Sequence, residues 1–225
     1  MSSKFKVGFL LFPYMTALDL TGPAEVLSLV EGNELYFVWK DLAPVVTEAT
    51  YSILPSHTFE TCPPLDLICV PGGPGQQFIM QDDSTLQWLA RQGRDASWVT
   101  SVCSGSLLLG AAGLLHGYRA ASHWNYREFL SKFGALPDPA RVVQDRNRIT
   151  GGGVTAGIDF ALQVVAAIHG EQEAKDIQLM LEYAPQPPFS SGCPEEAGPE
   201  AVVRVGHRLA GAVKRLFEKH RTAAS

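Results

Sequence analysis

The chain has 225 residues, of which 46% are apolar and only 18% charged, and 18 basic against 23 acidic side chains leave a formal net charge of −5. So apolar a chain with so little net charge is not disordered, and at this length a folded domain buries roughly 70% of its unfolded surface without staples. The acidic balance, with no Lys/Arg run, argues against a nucleic-acid backbone or an anionic membrane surface as partner.

In chain order, Lys6 to Phe12 is an unbroken apolar run that predicts a strand buried on both faces. After Pro13 a loop carrying Asp19 leads to Gly22-Pro23, and Pro23 suits the first turn of a helix reaching about Val30. Glu34 to Lys40 predicts a strand, and Tyr51 to Phe59 a looser pair of short strands. Leu65 to Val70 is a further buried strand ending in Pro71-Gly72-Gly73-Pro74-Gly75, and Thr85 to about Arg94 a helix with Asp82, Asp83 and Ser84 as candidate caps.

The segment from Ala96 to Tyr118 carries no formal charge and is long enough to span a bilayer. Its serines and glycines, and its change from a β-type to a helical run, fit a buried strand (Trp98 to Val102) turning into a helix (Ser104 to about Leu115). His123 and Trp124 open a helix through Phe133; Val142-Val143 and Arg148-Ile149-Thr150 form a hairpin around Arg146-Asn147. Gly151-Gly152-Gly153 lead into a helix from about Thr155 to His169, followed by a helix from Glu171 to Tyr183. A loop with five prolines (184–200) precedes a closing amphipathic helix (201–220). Strands alternating with helices indicate an α/β fold with a mostly parallel central sheet between two helical layers. The proline-rich stretch precedes a single helix, so one domain spanning 1–225 is expected.

The four cysteines, Cys62, Cys69, Cys103 and Cys193, form no Cys-x-x-Cys pair and no cluster with histidine. Neither a zinc site nor a disulfide framework is expected. The N-terminus lacks the apolar core and cleavage site of a signal peptide, so reduced thiols in a cytoplasm are expected.

In a parallel sheet, ligands bind beyond the carboxyl ends of the strands. Cys103, in Val102-Cys103-Ser104-Gly105-Ser106, sits at such a strand-to-helix junction, with Gly105 as the small residue a nucleophile elbow requires. A helix N-terminus there favours thiolate, and the Ser104 N–H is placed to face an anionic intermediate. Cys69 lies mid-strand in the core, and Cys62 and Cys193 lie in loops. Gly72 and Gly73 permit close backbone approach to an anion, although a tight turn explains them equally well. Gly151 to Gly153 lack the Gly-x-x-x-x-Gly-Lys-Ser/Thr pattern of a phosphate loop.

Asp19 has apolar neighbours that raise the pKa of a carboxyl and suit it to proton transfer, with a turn or cap role as the alternative. Glu25 lies on the following helix near its N-terminus. His123 is the histidine beside a candidate site element, and a half-buried structural histidine is the competing reading.

These residues resemble the DJ-1/PfpI superfamily, within the class I glutamine-amidotransferase-like fold. The likeness runs through Phe9-Leu10-Leu11-Phe12-Pro13, Leu18-Asp19-Leu20-Thr21-Gly22-Pro23-Ala24-Glu25-Val26-Leu27, Val70-Pro71-Gly72-Gly73-Pro74-Gly75, Val102-Cys103-Ser104-Gly105-Ser106-Leu107-Leu108-Leu109, Ser122-His123-Trp124 and Gly152-Gly153-Val154-Thr155-Ala156-Gly157-Ile158-Asp159. Within the superfamily, Met180 to Phe189 is similar to the isocyanide (isonitrile) hydratase group. The resemblance implies a flavodoxin-like three-layer sandwich with a nucleophile elbow and a homodimer. It also implies cysteine-dependent hydration of a small-molecule isocyanide to the formamide through a thioimidate. Cys103, Asp19 and Ser104 would be catalytic, and Gly72, Gly73, Glu25 and His123 would bind substrate or an oxyanion. No metal or organic cofactor is expected, and no nucleic-acid or membrane partner. The alternatives are a glyoxalase or deglycase acting on α-oxoaldehydes, and a cysteine redox sensor.

Two departures bear on that choice. Ser104 follows the cysteine where peptidase-like relatives carry histidine, and it stands where the hydratase group is expected to have threonine. Regulator relatives add a helix-turn-helix region of about a hundred residues, whereas one helix follows the proline loop here, which disfavours that role.

Overall fold

The structure, a computed structural model, describes residues 4–223. Residues 1–3, part of the N-terminus read as free of a signal peptide, lie outside it. In chain order the elements are β1 (Phe5–Leu10), α1 (Ala17–Ser28), β2 (Asn33–Trp39), β3 (Val45–Val46), β4 (Ser52–Ile53), β5 (His57–Thr58) and β6 (Leu67–Val70). They continue with α2 (Gln76–Ile79), α3 (Asp83–Asp95), β7 (Trp98–Ser101), α4 (Gly105–Ala111), β8 (Arg119–Ala120), a 3-10 helix (Arg127–Phe133) and β9 (Leu136–Pro137). Then come β10 (Val142–Asp145), β11 (Arg148–Gly151), α5 (Ala156–His169), α6 (Glu171–Met180), α7 (Pro194–Ala197) and α8 (Pro199–Ala223).

Seven strands form one sheet in the order β10-β11-β7-β6-β1-β2-β5, parallel throughout except for the β10–β11 hairpin. The central strands are apolar on both faces because helices cover both. Every residue of β6, Leu-Ile-Cys-Val, is 0% exposed. From β1 the chain moves first outward to β2 and later returns on the other side as β6 and β7. That reversal opens a crevice at the carboxyl ends of β1 and β6, the place where open α/β sheets bind ligands. Helices pack in two groups, α1 with α5 and α6, and α2 with α3 and α4, completing a three-layer, flavodoxin-like sandwich.

Several boundaries differ from the sequence reading. α1 begins at Ala17, six residues before Pro23, so Asp19 lies in the first helical turn and not in a loop. The missing N–H of Pro23 leaves the Asp19 carbonyl without its helical donor. The ring packs against Gly157 of α5, where the lack of a side chain lets the two helices approach. The segment after Trp124 is a 3-10 helix starting at Arg127, and α4 is shortened to seven residues. The short strands of 51–59 do not pair with each other. β4 pairs antiparallel with β3, and β5 extends the main sheet beside β2.

The chain divides into two compact units, Met1–Tyr183 and Ala184–Ser225. The first holds both helical groups and the sheet; the second holds α7 and the 25-residue α8. Among the described residues no helix is long and apolar enough to cross a membrane.

Candidate active site

Loops leaving β1, β6 and β7 converge in the crevice, and Cys103 is its focus. Val102 N–H donates to Val70 O (3.0 Å), and Gly105 N–H donates to Val102 O (3.0 Å), folding the chain sharply between strand and helix. The turn puts Cys103 in the left-handed region, φ 57°, which costs a side-chain-bearing residue about 1–2 kcal/mol. Its surroundings hold it there. Cys103 N–H donates to Gly151 O (3.1 Å) and Gly152 O (2.8 Å), and its carbonyl accepts from Ser106 Oγ (3.2 Å) and Ser122 Oγ (3.0 Å). Gly105 is obligatory, since a Cβ there would run into the carbonyl oxygens of Val70 and Pro71.

Asp19 is fully buried and enters from the first turn of α1. Thr16 N–H donates to Gly72 O (2.9 Å), and Gly72 N–H donates to Asp19 Oδ2 (2.9 Å), so the β6 loop and the helix start fix each other. Asp19 Oδ1 is also buried and forms no closed hydrogen bond with any described residue; the Cys103 thiol is the side chain that acts on this carboxyl. Gly73 N–H donates to Ser104 Oγ (3.1 Å). Gly72 and Gly73 therefore reach the site, with their N–H groups directed at Asp19 and Ser104 and not at open space. A side chain on Gly72 would strike Ser104 N and Oγ, so this close approach also needs glycine.

The electrostatics follow from burial. Desolvation raises Asp19 from 3.8 to about 7, against the opposing pull of the Gly72 N–H and the Cys103 thiol, while the Glu48 charge adds to the rise. Burial also pushes the Cys103 thiol well above its ordinary value, and the Asp19 charge pushes it further. The N–H groups of Ser104 and Val154 work the other way. The expected thiolate-favouring helix terminus is thus outweighed: α4 is short, and taking a sulfur anion out of water costs more than two N–H groups return. The resting pair is a thiol beside a carboxyl that titrates near neutrality.

His123 reaches the wall of the site without a hydrogen bond to Cys103 or Asp19 among the described residues. Its Nδ1 accepts the Asn125 N–H (3.3 Å), its ring lies against Trp124 and Tyr126, and its edge abuts Gly153. Burial lowers its pKa and keeps it neutral. Glu25 does not join the site: six residues beyond Asp19, it projects about 120° round the helix and is exposed.

Cys69 is fully buried with its thiol pushed up to about 12, and Cys62 is half-buried at about 11. All four cysteines are unpaired. Among the described residues no three His, Cys, Asp or Glu side chains are grouped so as to hold a metal ion.

Three contributors escape a reading of the sequence. Val154 acts through its backbone N–H, which carries no residue signature. Glu48 and Tyr126 stand far from Asp19 and Cys103 along the chain. Yet Glu48 acts electrostatically on Asp19, and both Cys103 and Glu48 act on Tyr126. The only hint was that Tyr126 follows the Ser-His-Trp run within three residues of His123.

A flavodoxin-like sheet with a strained cysteine at the end of β7 and a buried carboxyl opposite defines a class, and the chain belongs to the DJ-1/PfpI family, whose model matches residues 5–167. Over 220 residues, 98% of this chain and 96% of the relative, it is 49% identical to isonitrile hydratase of Pseudomonas putida. It is also 33% identical to the HTH-type transcriptional regulator GbdR of Pseudomonas aeruginosa over 79% of this chain, which corresponds to 50% of that regulator. Among solved structures, a ThiJ/PfpI family protein from Pseudomonas syringae superposes with a TM-score of 0.90 at 45% identity, covering 94% of this chain and 88% of that one.

Proposed function

We propose that this protein hydrates isocyanides, R–N≡C, to N-substituted formamides, R–NH–CHO, with Cys103 as nucleophile and Asp19 as the proton carrier. The observation that carries the reading is the pair itself: a buried carboxyl with one oxygen unengaged, acting on a buried thiol and titrating near neutrality. The near-full-length likeness to an isonitrile hydratase supports it.

The terminal isocyanide carbon must receive both a nucleophile and a proton. Asp19 carboxylate takes the Cys103 proton as sulfur bonds to that carbon, then delivers the proton to the same carbon, giving the thioimidate R–N=CH–S. Water next adds across C=N, its oxygen to carbon and one proton through Asp19 to nitrogen. Collapse breaks the C–S bond; the remaining hydroxyl proton returns to sulfur through Asp19 and the formamide leaves. One water is consumed and the thiol is regenerated. Gly73 N–H occupies a lone pair of Ser104 Oγ, leaving the hydroxyl hydrogen free to donate to the substrate nitrogen. Gly72 N–H anchors Asp19, and the Ser104 and Val154 N–H groups stabilise sulfur as it becomes anionic. His123 lines the wall as a neutral ring.

Formamide formation from an alkyl or aryl isocyanide tests this directly. Wild type turns over and Cys103→Ala does not; full activity in Cys103→Ala removes the covalent mechanism, and an inert wild type removes the function. Loss of methylglyoxal without isocyanide turnover would point to the oxoaldehyde chemistry instead. We further assign the protein to the cytoplasm as a homodimer. Its unpaired cysteines support the first, and the exposed Leu18 and Val46 on neighbouring segments near the site support the second. Sedimentation at twice the chain mass is the expected result.

A further inference from the structure

We infer that the mouth of the Cys103 site sorts isocyanides by charge, with Glu48 as the residue that turns anionic substituents away and admits neutral and cationic ones. The inference rests on the isocyanide hydration proposed above and adds the substrate class.

The placement of Glu48 is built into the backbone. Its N–H donates to Met15 O (3.0 Å), and Tyr14 N–H donates to Val46 O (2.7 Å). These bonds stitch the β3–β4 hairpin to the loop between β1 and α1. The next residue of that loop is Thr16, whose side chain acts on the Glu48 carboxyl and holds back the rise that burial gives its pKa, and Asp19 lies one helical turn further on. Glu48 is exposed, its backbone is tied to Met15 beside the start of α1, and its charge acts on the fully buried Asp19. The half-buried Tyr126 feels both Cys103 and Glu48, so it is a neighbour of both charges. The floor holds Asp19 Oδ1, a buried polar atom without a closed hydrogen bond among the described residues.

No positive charge balances this wall. Among the described residues Glu48 and Asp19 take part in no ion pair with lysine or arginine. None of the groups acting on Asp19, Cys103, Glu48 or Tyr126 is basic. The isocyano unit supplies the remaining constraint. It is linear and reacts at its terminal carbon, so when that carbon meets Cys103 Sγ the substituent must point back along the entry route. A carboxylate on the substituent then lies beside Glu48 without a counter-charge, an aryl group meets the Tyr126 ring, and an ammonium group is attracted. Because Glu48 is solvated, the discrimination is modest, roughly tenfold in kcat/KM.

The test compares kcat/KM for benzyl isocyanide, isocyanoacetate and 3-(dimethylamino)propyl isocyanide in wild type, Glu48→Gln, Glu48→Lys and Glu31→Gln. Glu31 is exposed in the turn between α1 and β2, at the end of the helix away from Asp19, so Glu31→Gln changes net charge as Glu48→Gln does, away from the site. Glu48→Gln is expected to raise the isocyanoacetate-to-benzyl ratio about tenfold and to lower the ratio for the amine, and Glu48→Lys to move both further. Glu31→Gln leaves the ratios unchanged, and 0.5 M salt shrinks the Glu48 effect through screening. Ratios indifferent to Glu48, or moved equally by Glu31→Gln, overturn the inference. If wild type turns over none of the three isocyanides, the failure belongs to the proposed hydration.

Discussion

Asp19 carries a pH dependence whose sign follows from its burial. Its acid is raised from 3.8 to about 7 in the native state, so the folded protein holds that proton more tightly than the unfolded chain. The stability this contributes is complete below about pH 4 and is lost as pH rises through about 7, a swing of roughly 4 kcal/mol. Asn at this position keeps an acceptor for the Gly72 N–H but does not titrate. Asp19→Asn should therefore gain stability relative to wild type between pH 4 and 8, read as a widening difference in urea midpoints; a constant difference contradicts the raised acid. Activity runs the other way. In the proposed hydration Cys103 loses its proton to a carboxylate, so kcat/KM should rise as pH climbs through about 7, and a flat profile from 5.5 to 8.5 would remove Asp19 from that step. At this scale the sequence was informative wherever a side chain carries its own chemistry: Cys103, Asp19 and Ser104 stand in recognisable local runs. It was silent on a backbone N–H that acts on Cys103, as at Val154, and on a charge from a distant hairpin that acts on Asp19, as at Glu48. Glu25, set among the binding residues by the family likeness, lies on the exposed side of α1, turned about 120° from Asp19.

The elbow between β7 and α4 shows how an element can hold a residue in a conformation it would not choose. Hydrogen bonds from the Cys103 N–H to the Gly151 and Gly152 carbonyls, and from the Ser106 and Ser122 hydroxyls to the Cys103 carbonyl, offset the left-handed φ of Cys103. Because the strain belongs to the Cβ, removing it should be measurable: Cys103→Gly should be more stable than Cys103→Ala by about 1 kcal/mol, despite the usual preference for alanine. Equal midpoints in denaturant would show that the turn is not strained. Element types were readable from runs of apolar residues, and the long strands and α5 appear within a residue or two of their expected limits. Starts and stops were less so. Pro23 reads locally as a helix opening, yet tertiary packing against Gly157 carries the helix through it. The two-residue strand β5 acquires its partner β2 only through the tertiary fold, and β4 pairs with β3, upstream of the stretch read as a pair of strands.

For the whole molecule, the order of the strands locates the site before any side chain is considered. The chain leaves β1 in one direction and returns in the other, and the crevice this opens collects Asp19, Gly72 and Gly73, with Cys103 reaching over from β7. That arrangement follows from the alternation of strands and helices, which the sequence displays; which strand sits beside which was legible only through the family likeness. A graded rigidity is expected. Amide hydrogen exchange should be slowest in β1, β6 and β7 and fastest in β5 and β10, and uniform protection across the sheet would contradict it.

The two borders of that sheet also bear on solubility. Strands such as β6, apolar along their whole length, would recruit other chains if they lay at an edge. One border here is β5, only two residues long, and the other is β10, which runs against its neighbour and turns through Asp145 and Arg146. Neither offers a long flat template onto which another chain could add a strand, so the most apolar strands are kept two or more places in from either border.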